Sequence, residues 1–243
     1  MKEETVYYNE SNEKIQVISY HKNDVVKSEA HFKNNQLHGP FKSYFESGIL
    51  ESESLFDKGK LNGRTAYYDT DGEVAQEMFF VDGLLEGVFT HYKNSQIQLK
   101  ISYVKGKKNG DMISYANNGN IKQVSKYEND IQSGESVTYD ENSLEIIMKC
   151  EYKNGKKHGK STIYYPNSNG KVYEESKYEN NLLEGFSTRF NQNGDVQQIC
   201  EYSKGKQTGK PVVFNAQGVP LEEVTTTATT TTKKVGFWKL IFG

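Results

Sequence analysis

Several ingredients that common protein classes require are scarce in this chain. Only two cysteines, Cys150 and Cys200, occur in 243 residues, too few for a disulfide framework and compatible with a reducing compartment. The charged start Met1-Lys2-Glu3-Glu4 is followed by no apolar run of the roughly 7 to 15 residues that a secretory signal needs, so the expected location is the cytoplasm. A basic excess is missing too: 30 Lys plus Arg against 32 Asp plus Glu leave a net charge of −2, which makes nucleic acid a poor partner. Hydrophobic residues reach only 35%, and even with the 21 glycines added they fall slightly short of the roughly 45–50% of ordinary globular domains. A thick two-layer core is therefore poorly supplied.

Catalytic signatures are absent from the sequence as well. There is no P-loop, no G-x-G-x-x-G after a strand, and no H-E-x-x-H, G-x-S-x-G or C-x-x-C element. No enzyme activity, cofactor or metal is expected.

What the chain does have is rings and glycines: 17 Tyr, 12 Phe and 21 Gly. An aromatic residue recurs at Phe32, Phe56, Phe80, Tyr103, Tyr127, Tyr152, Tyr178 and Tyr202, at spacings of 24, 24, 23, 24, 25, 26 and 24. With each taken as position zero of a unit, position +7 is always glycine: Gly39, Gly63, Gly87, Gly110, Gly134, Gly159, Gly185 and Gly209. Position +12 is always a second ring: Tyr44, Tyr68, Tyr92, Tyr115, Tyr139, Tyr164, Phe190 and Phe214. Position +3 reads Asn35, Gly59, Gly83, Gly106, Asp130, Gly155, Asn181 and Gly205, the residue types that best tolerate positive φ. Variation in unit length falls after the second ring, near glycines such as Gly48, Gly72 and Gly119, where a hairpin turn absorbs insertions.

These features predict an all-β chain: an elongated, single-layer antiparallel sheet of about nine tandem hairpins. Each unit carries a strand over positions +8 to +13, a Gly/Asn turn, a second strand ending at the next anchor, and a tight glycine-rich link. At about 4.8 Å between strands, nine units span roughly 80 Å, and no unit folds alone. Residues 1–31 read as an atypical capping unit without glycine, with a hairpin of 15–20 and 25–32 turning at Lys22-Asn23-Asp24. The array then runs over 32–224.

The units resemble the MORN-repeat superfamily, in its variant branch. Segments such as Tyr152-Lys-Asn-Gly-Lys-Lys-His-Gly159 and Phe56-Asp-Lys-Gly-Lys-Leu-Asn-Gly63 carry the likeness, over about residues 5 to 224. The tryptophan common in the eukaryotic unit is missing, the only Trp being Trp238, outside the array. The resemblance implies an elongated antiparallel sheet, scaffolding or dimerisation roles and lipid binding, and some bacterial variant members are described as antitoxins.

Lysines concentrate in alternate links, at Lys58 and Lys60, Lys105, Lys107 and Lys108, Lys153, Lys156 and Lys157, and Lys204 and Lys206. Acids such as Asp82, Glu86, Glu128, Asp130, Glu179 and Glu184 fill the links between. This reads either as a row of basic contact points or as neighbouring links neutralising one another. His38 and His158 share a unit position but lie five units, about 48 Å, apart, so they are not co-ligands. Cys150 and Cys200, two units or about 19 Å apart, are predicted to be free thiols.

Beyond the array, residues 225–232 form a Thr-rich linker, and a basic-aromatic tail occupies 233–243. Phe237, Trp238, Leu240, Ile241 and Phe242 are too few to span a bilayer, which takes about 20 apolar residues. With Lys233, Lys234 and Lys239 they suit three roles: an interfacial anchor on anionic lipid at the inner membrane face, a cap on the last unit, or a protein-docking peptide. The expected function is a non-catalytic scaffold for protein–protein interaction. Tyr68, Tyr92, Tyr115, Tyr139 and Tyr164 are expected as exposed ladder members that contact the partner, and the tail as a tether. An antitoxin or immunity-type inhibitor and a lipid-recruited scaffold are the alternatives, and the sequence leaves the partner, the oligomeric state and the binding face open.

Overall fold

In the computed structural model, residues 4–221 are described, so the Thr-rich linker (225–232) and the basic-aromatic tail (233–243) lie outside them. The described chain is a single open antiparallel sheet of 21 strand segments, each paired with its neighbour in sequence. Three strands are split by an irregularity, as at Leu84–Leu85 with Gly87–Lys93, which leaves eighteen positions across the sheet, or nine hairpins.

The local chemistry explains the hairpins. Asp57 and Lys60 face each other across Lys58 and Gly59, both at positive φ (48° and 80°). A two-residue loop with positive φ at both central positions is a type I′ turn, whose twist matches that of the flanking strands. The same pair of angles recurs at Asn34-Asn35, Asp82-Gly83, Lys105-Gly106, Asn129-Asp130, Asn154-Gly155, Asn180-Asn181 and Lys204-Gly205. Because this turn occupies only positions +2 and +3, the next strand begins at +4, as in Lys60–Tyr68 and Lys107–Tyr115, rather than at the expected +8. The N–H at position +3 also donates to the carbonyl at +5 of the preceding unit, as Gly59 does to Leu37 and Gly83 to Leu61, both at 2.8 Å. These bonds stitch successive units along one rim.

On the opposite rim the turns differ in length. Phe45 to Ile49 closes with Gly48 at φ 85°, Asn94-Ser95 is a two-residue turn, and Asp140–Glu145 and Tyr165–Lys171 are longer. The 23-to-26-residue variation is absorbed here, and side-chain oxygens of Asp69, Asp140 and Asn191 accept backbone N–H groups within these turns.

The glycine at +7 lies inside a strand, opposite the anchor ring of the following unit: Gly39 pairs Phe56, Gly63 pairs Phe80, Gly110 pairs Tyr127, and Gly159 pairs Tyr178. It also sits in a bulge. Ser54 pairs Thr65 and Phe56 pairs Leu61, so Asn62, Gly63 and Arg64 oppose Leu55 alone. A Cβ on Gly63, at φ 117°, would come within 3.0 Å of Leu55 Cδ1 and 3.2 Å of its Cβ. Glycine thus meets two demands at once, a left-handed backbone and the close approach of the side chain at position −1. The capping unit has no glycine, and there Lys14 Nζ covers the Phe32 ring at 4.0 Å from its centroid.

Candidate binding surface

Paired residues share a face and successive residues alternate, so the register sorts the repeat into two faces. One face, the anchor face, carries the position-zero rings and a central column formed by positions −2 and +9. That column is closed: Thr65, Ser136 and Cys150 are almost fully buried, and Ala30, Ser54, Met78, Ile101, Ser125, Ser161, Ser176 and Ser187 are buried too. Hydroxyls bond along it, Ser125 to Ser136 at 2.9 Å and Ser176 to Ser187 at 3.0 Å. Burial and the neighbouring Cys150 push the Tyr152 hydroxyl up to about 12, and Tyr178 and Tyr202 shift in the same direction.

The other face carries the +12 rings, including Tyr68, Tyr92, Tyr115, Tyr139 and Tyr164. All five are half-buried rather than exposed. Tyr68 donates its hydroxyl to Glu53 at 2.8 Å. Arg64 bridges Glu53 and Glu77, reaching Glu77 with Nε at 2.5 Å. The Tyr68 hydroxyl and the Arg64 guanidinium hold the Glu53 carboxyl below its usual range, while burial and the adjacent Glu53 raise Tyr68. Tyr44 beside Glu29 and Tyr92 beside Glu77 are raised in the same way, burial being the larger cause.

Nine large apolar side chains left in solvent also gather on this tyrosine face. They stand at positions −1, +1, +4 and +8: Leu55, Phe79, Val81, Leu84, Val88, Val104, Ile131, Leu182 and Phe186, each 40–50% exposed. Sequence reasoning missed them because nothing in the periodicity marks these four positions as sharing a face. Shallow open grooves lie between the rows. One of about 420 Å³ runs over Lys160, Glu175, Lys177, Phe186 and Thr188, and one of about 190 Å³ over Pro40, Lys42, Glu53, Leu55 and Arg64. Ligand sites usually bury most of a small molecule within 300–1,000 Å³, and these troughs do not enclose one.

The link charges bond across units through the backbone. Glu86 accepts from the N–H of Lys105, Asp130 from that of Lys108, and Glu184 from that of Lys204. Lys108 and Lys157 lie over the anchor rings Tyr127 and Tyr178, at 5.4 and 5.3 Å from their centroids. His38 pairs with Asp57 at 3.1 Å, and His21 and His31 bond to the carbonyls of Tyr44 and Pro40. Among the described residues no group of three His, Cys, Asp or Glu side chains is placed to hold a metal ion. Cys150 and Cys200 are free thiols.

Comparison with known proteins agrees with this geometry. The family model described as MORN repeat variant matches residues 15–34, 37–58 and 108–129. The second and third matches begin five residues after an anchor and end inside the next I′ turn, the frame in which the structure repeats. Those three segments match the MORN repeat variant. Among curated proteins none matches. Among the solved structures that align are TcdB2-TccC3-Cdc42 at 12% identity and TcdB2-TccC3 at 13%, each over 85% of this chain with a TM-score of 0.22. This chain spans 13% and 14% of those chains, and at that TM-score neither supports a conclusion about fold or function.

Proposed function

We propose that the chain is a non-catalytic scaffold that binds a protein partner through its tyrosine face. One observation carries this reading: nine large apolar side chains stand in solvent on that face, at four fixed positions of the repeat. Apolar side chains gathered into a patch mark interaction sites more often than singly scattered ones do. The half-buried tyrosines form a stiff wall between the rows, offering ring edges and hydroxyls at little entropic cost on binding. The tail, with Lys233, Lys234, Phe237, Trp238, Lys239, Leu240, Ile241 and Phe242, supplies a second point of contact on this reading.

Affinity capture from the native cell tests it, with three baits: the full chain, Phe79→Ser with Leu84→Ser, and Tyr67→Ser. Tyr67 is 45% exposed but stands on the anchor face, paired with Ser52. The expected result is a partner lost only by the Phe79/Leu84 bait. Loss through Tyr67→Ser alone would place the contact on the anchor face and overturn the assignment.

A further inference from the structure

The repeat supplies its own alignment, because equivalent positions of successive units can be compared within one chain. At position −1 the series after Phe79 reads Ser102, Lys126, Glu151, Lys177 and Glu201. At +8, Val88 is followed by Asp111, Glu135 and Lys160, and at +1, Val81 and Val104 give way to Glu128 and Lys153. Charged side chains therefore suit these positions, and the apolar group at Leu55, Phe79, Val81, Leu84, Val88 and Val104 is not a requirement of the fold. The six are 43–50% exposed on the tyrosine face, Phe79, Val81, Leu84, Val88 and Val104 on adjoining strands and Leu55 on the far side of Arg64, running from the strand Leu50–Asp57 to the strand Gln96–Val104. Val81 pairs Leu84 across the Asp82-Gly83 turn, and Leu84 reaches over Gly106 beside Val104.

Size selects the occupant. Four strand spacings make the patch about 20 Å long, and its six side chains fall well short of the roughly 20–30 residues a side that a stable globular interface takes. An extended peptide of six residues is also about 20 Å long. The chain holds one candidate of that length, Phe237-Trp-Lys-Leu-Ile-Phe242, five of whose six residues are apolar.

Reach selects the source. Phe237 stands sixteen residues beyond Leu221, the end of the described chain, and fully extended those residues span at most about 55 Å. Along the sheet, the last strand, Val212–Val213, lies eleven spacings from the patch centre, or about 53 Å. A compliant coil of sixteen residues covers only about 20–24 Å on average. A tail reaching its own patch would have to be drawn taut, whereas the tail of another molecule meets no such limit. We infer that residues 237–242 of one molecule dock on the Leu55–Val104 apolar patch of a second copy, giving a tail-to-face self-association. The inference rests on the tyrosine face being the binding face, and the contact is heterologous, closing into a ring or extending as a series.

Trp238 is the only tryptophan, so its fluorescence reports the contact directly. In the full chain, raising the concentration should shift Trp238 emission to shorter wavelength in step with a rise in mass by sedimentation. Phe79→Asp with Leu84→Asp, both at solvent-exposed sites, should keep the circular dichroism and weaken association about tenfold or more. Deleting 233–243 should leave a monomer. A blue shift that is independent of concentration in a monomer would mean docking within one molecule and overturn the inference. A shift that appears only with anionic phosphatidylserine vesicles and ignores the face variants would make the tail a membrane anchor, with the same effect. The tyrosine-face reading survives either failure if the Phe79/Leu84 bait still loses its partner.

Discussion

Residues 74–115 and 121–190 share one backbone and are filled differently. In the first stretch the central column of the anchor face reads Met78, Phe89, Ile101, Met112, and the outer face shows Phe79, Val81, Leu84, Val88 and Val104. In the second the column reads Ser125, Ser136, Cys150, Ser161, Ser176, Ser187, and the outer positions carry Lys126, Glu135, Glu151 and Lys160 interspersed with Ile131, Leu182 and Phe186. Ion pairs join Lys160 to Glu175 at 2.7 Å and Arg189 to Glu174 at 2.8 Å there. Exposed pairs of this kind contribute little, typically under about 1 kcal/mol. The difference shows which features specify the hairpin. The I′ turn, the bulge glycine and the ring across it stay constant, while the columns on either face accept dispersion contacts in one stretch and hydroxyl ladders in the other.

Three experiments test that division. The largest effect is expected at the shared frame: Gly110→Val and Gly159→Val should each cost about 3 kcal/mol or more, read as a drop in the urea midpoint, because both sites have positive φ and face a close side chain, Ser102 and Glu151. Gly209→Ala should be near neutral, since a Cβ there would meet nothing within 4 Å and the backbone is not left-handed. Unequal losses at 110 and 159 would mean that the two stretches do not share a frame. Next, Met78→Ala should cost about 2–3 kcal/mol and Ser125→Ala about 1 kcal/mol, since the first leaves a cavity and the second removes a hydrogen bond. Equal losses would erase the distinction between the two columns.

The smallest effect is a pH dependence centred on Tyr152 in the second stretch. A hydroxyl whose value rises from 10.0 to about 12 on folding stabilises the sheet fully below pH 10 and loses that contribution as pH climbs through 12. Thermal stability should therefore fall between pH 10 and 12, and Tyr152→Phe should flatten the decline. The equivalent rings Phe56 and Phe80 in the earlier units cannot ionise, so a decline that persists in Tyr152→Phe would have to come from elsewhere.

Much of the fold was legible because a repeat multiplies weak signals. Eight glycines at one offset, and Asn, Asp or Gly at +3, point to the hairpin array and to the left-handed residue without any coordinates. The positive φ at +2 was harder to read, since Lys58, Lys105 and Lys204 hide it behind residues that usually avoid that region. The faces were not legible. Positions zero and +12 are an even number apart, and simple alternation would put both rings on one face. The I′ turn, however, pairs zero with +5, an odd offset, and so sends the two ring columns to opposite faces. The candidate tyrosines were found by their period, but the apolar patch beside them required the register, because its members come from separate strands and their turns.

The unequal rims have a practical corollary. Along the I′ side each loop from Lys58-Gly59 onward is pinned to its predecessor by a backbone bond from +3 to +5, so an inserted residue there would break the stitch between units. The other side already tolerates loops from Asn94-Ser95 up to Tyr165–Lys171. A foreign epitope or reporter sequence grafted into the 165–171 loop would hang from the margin of the sheet, leaving both broad surfaces untouched, and the protein could be lengthened there one residue at a time while whole hairpins remain the unit of growth along its axis.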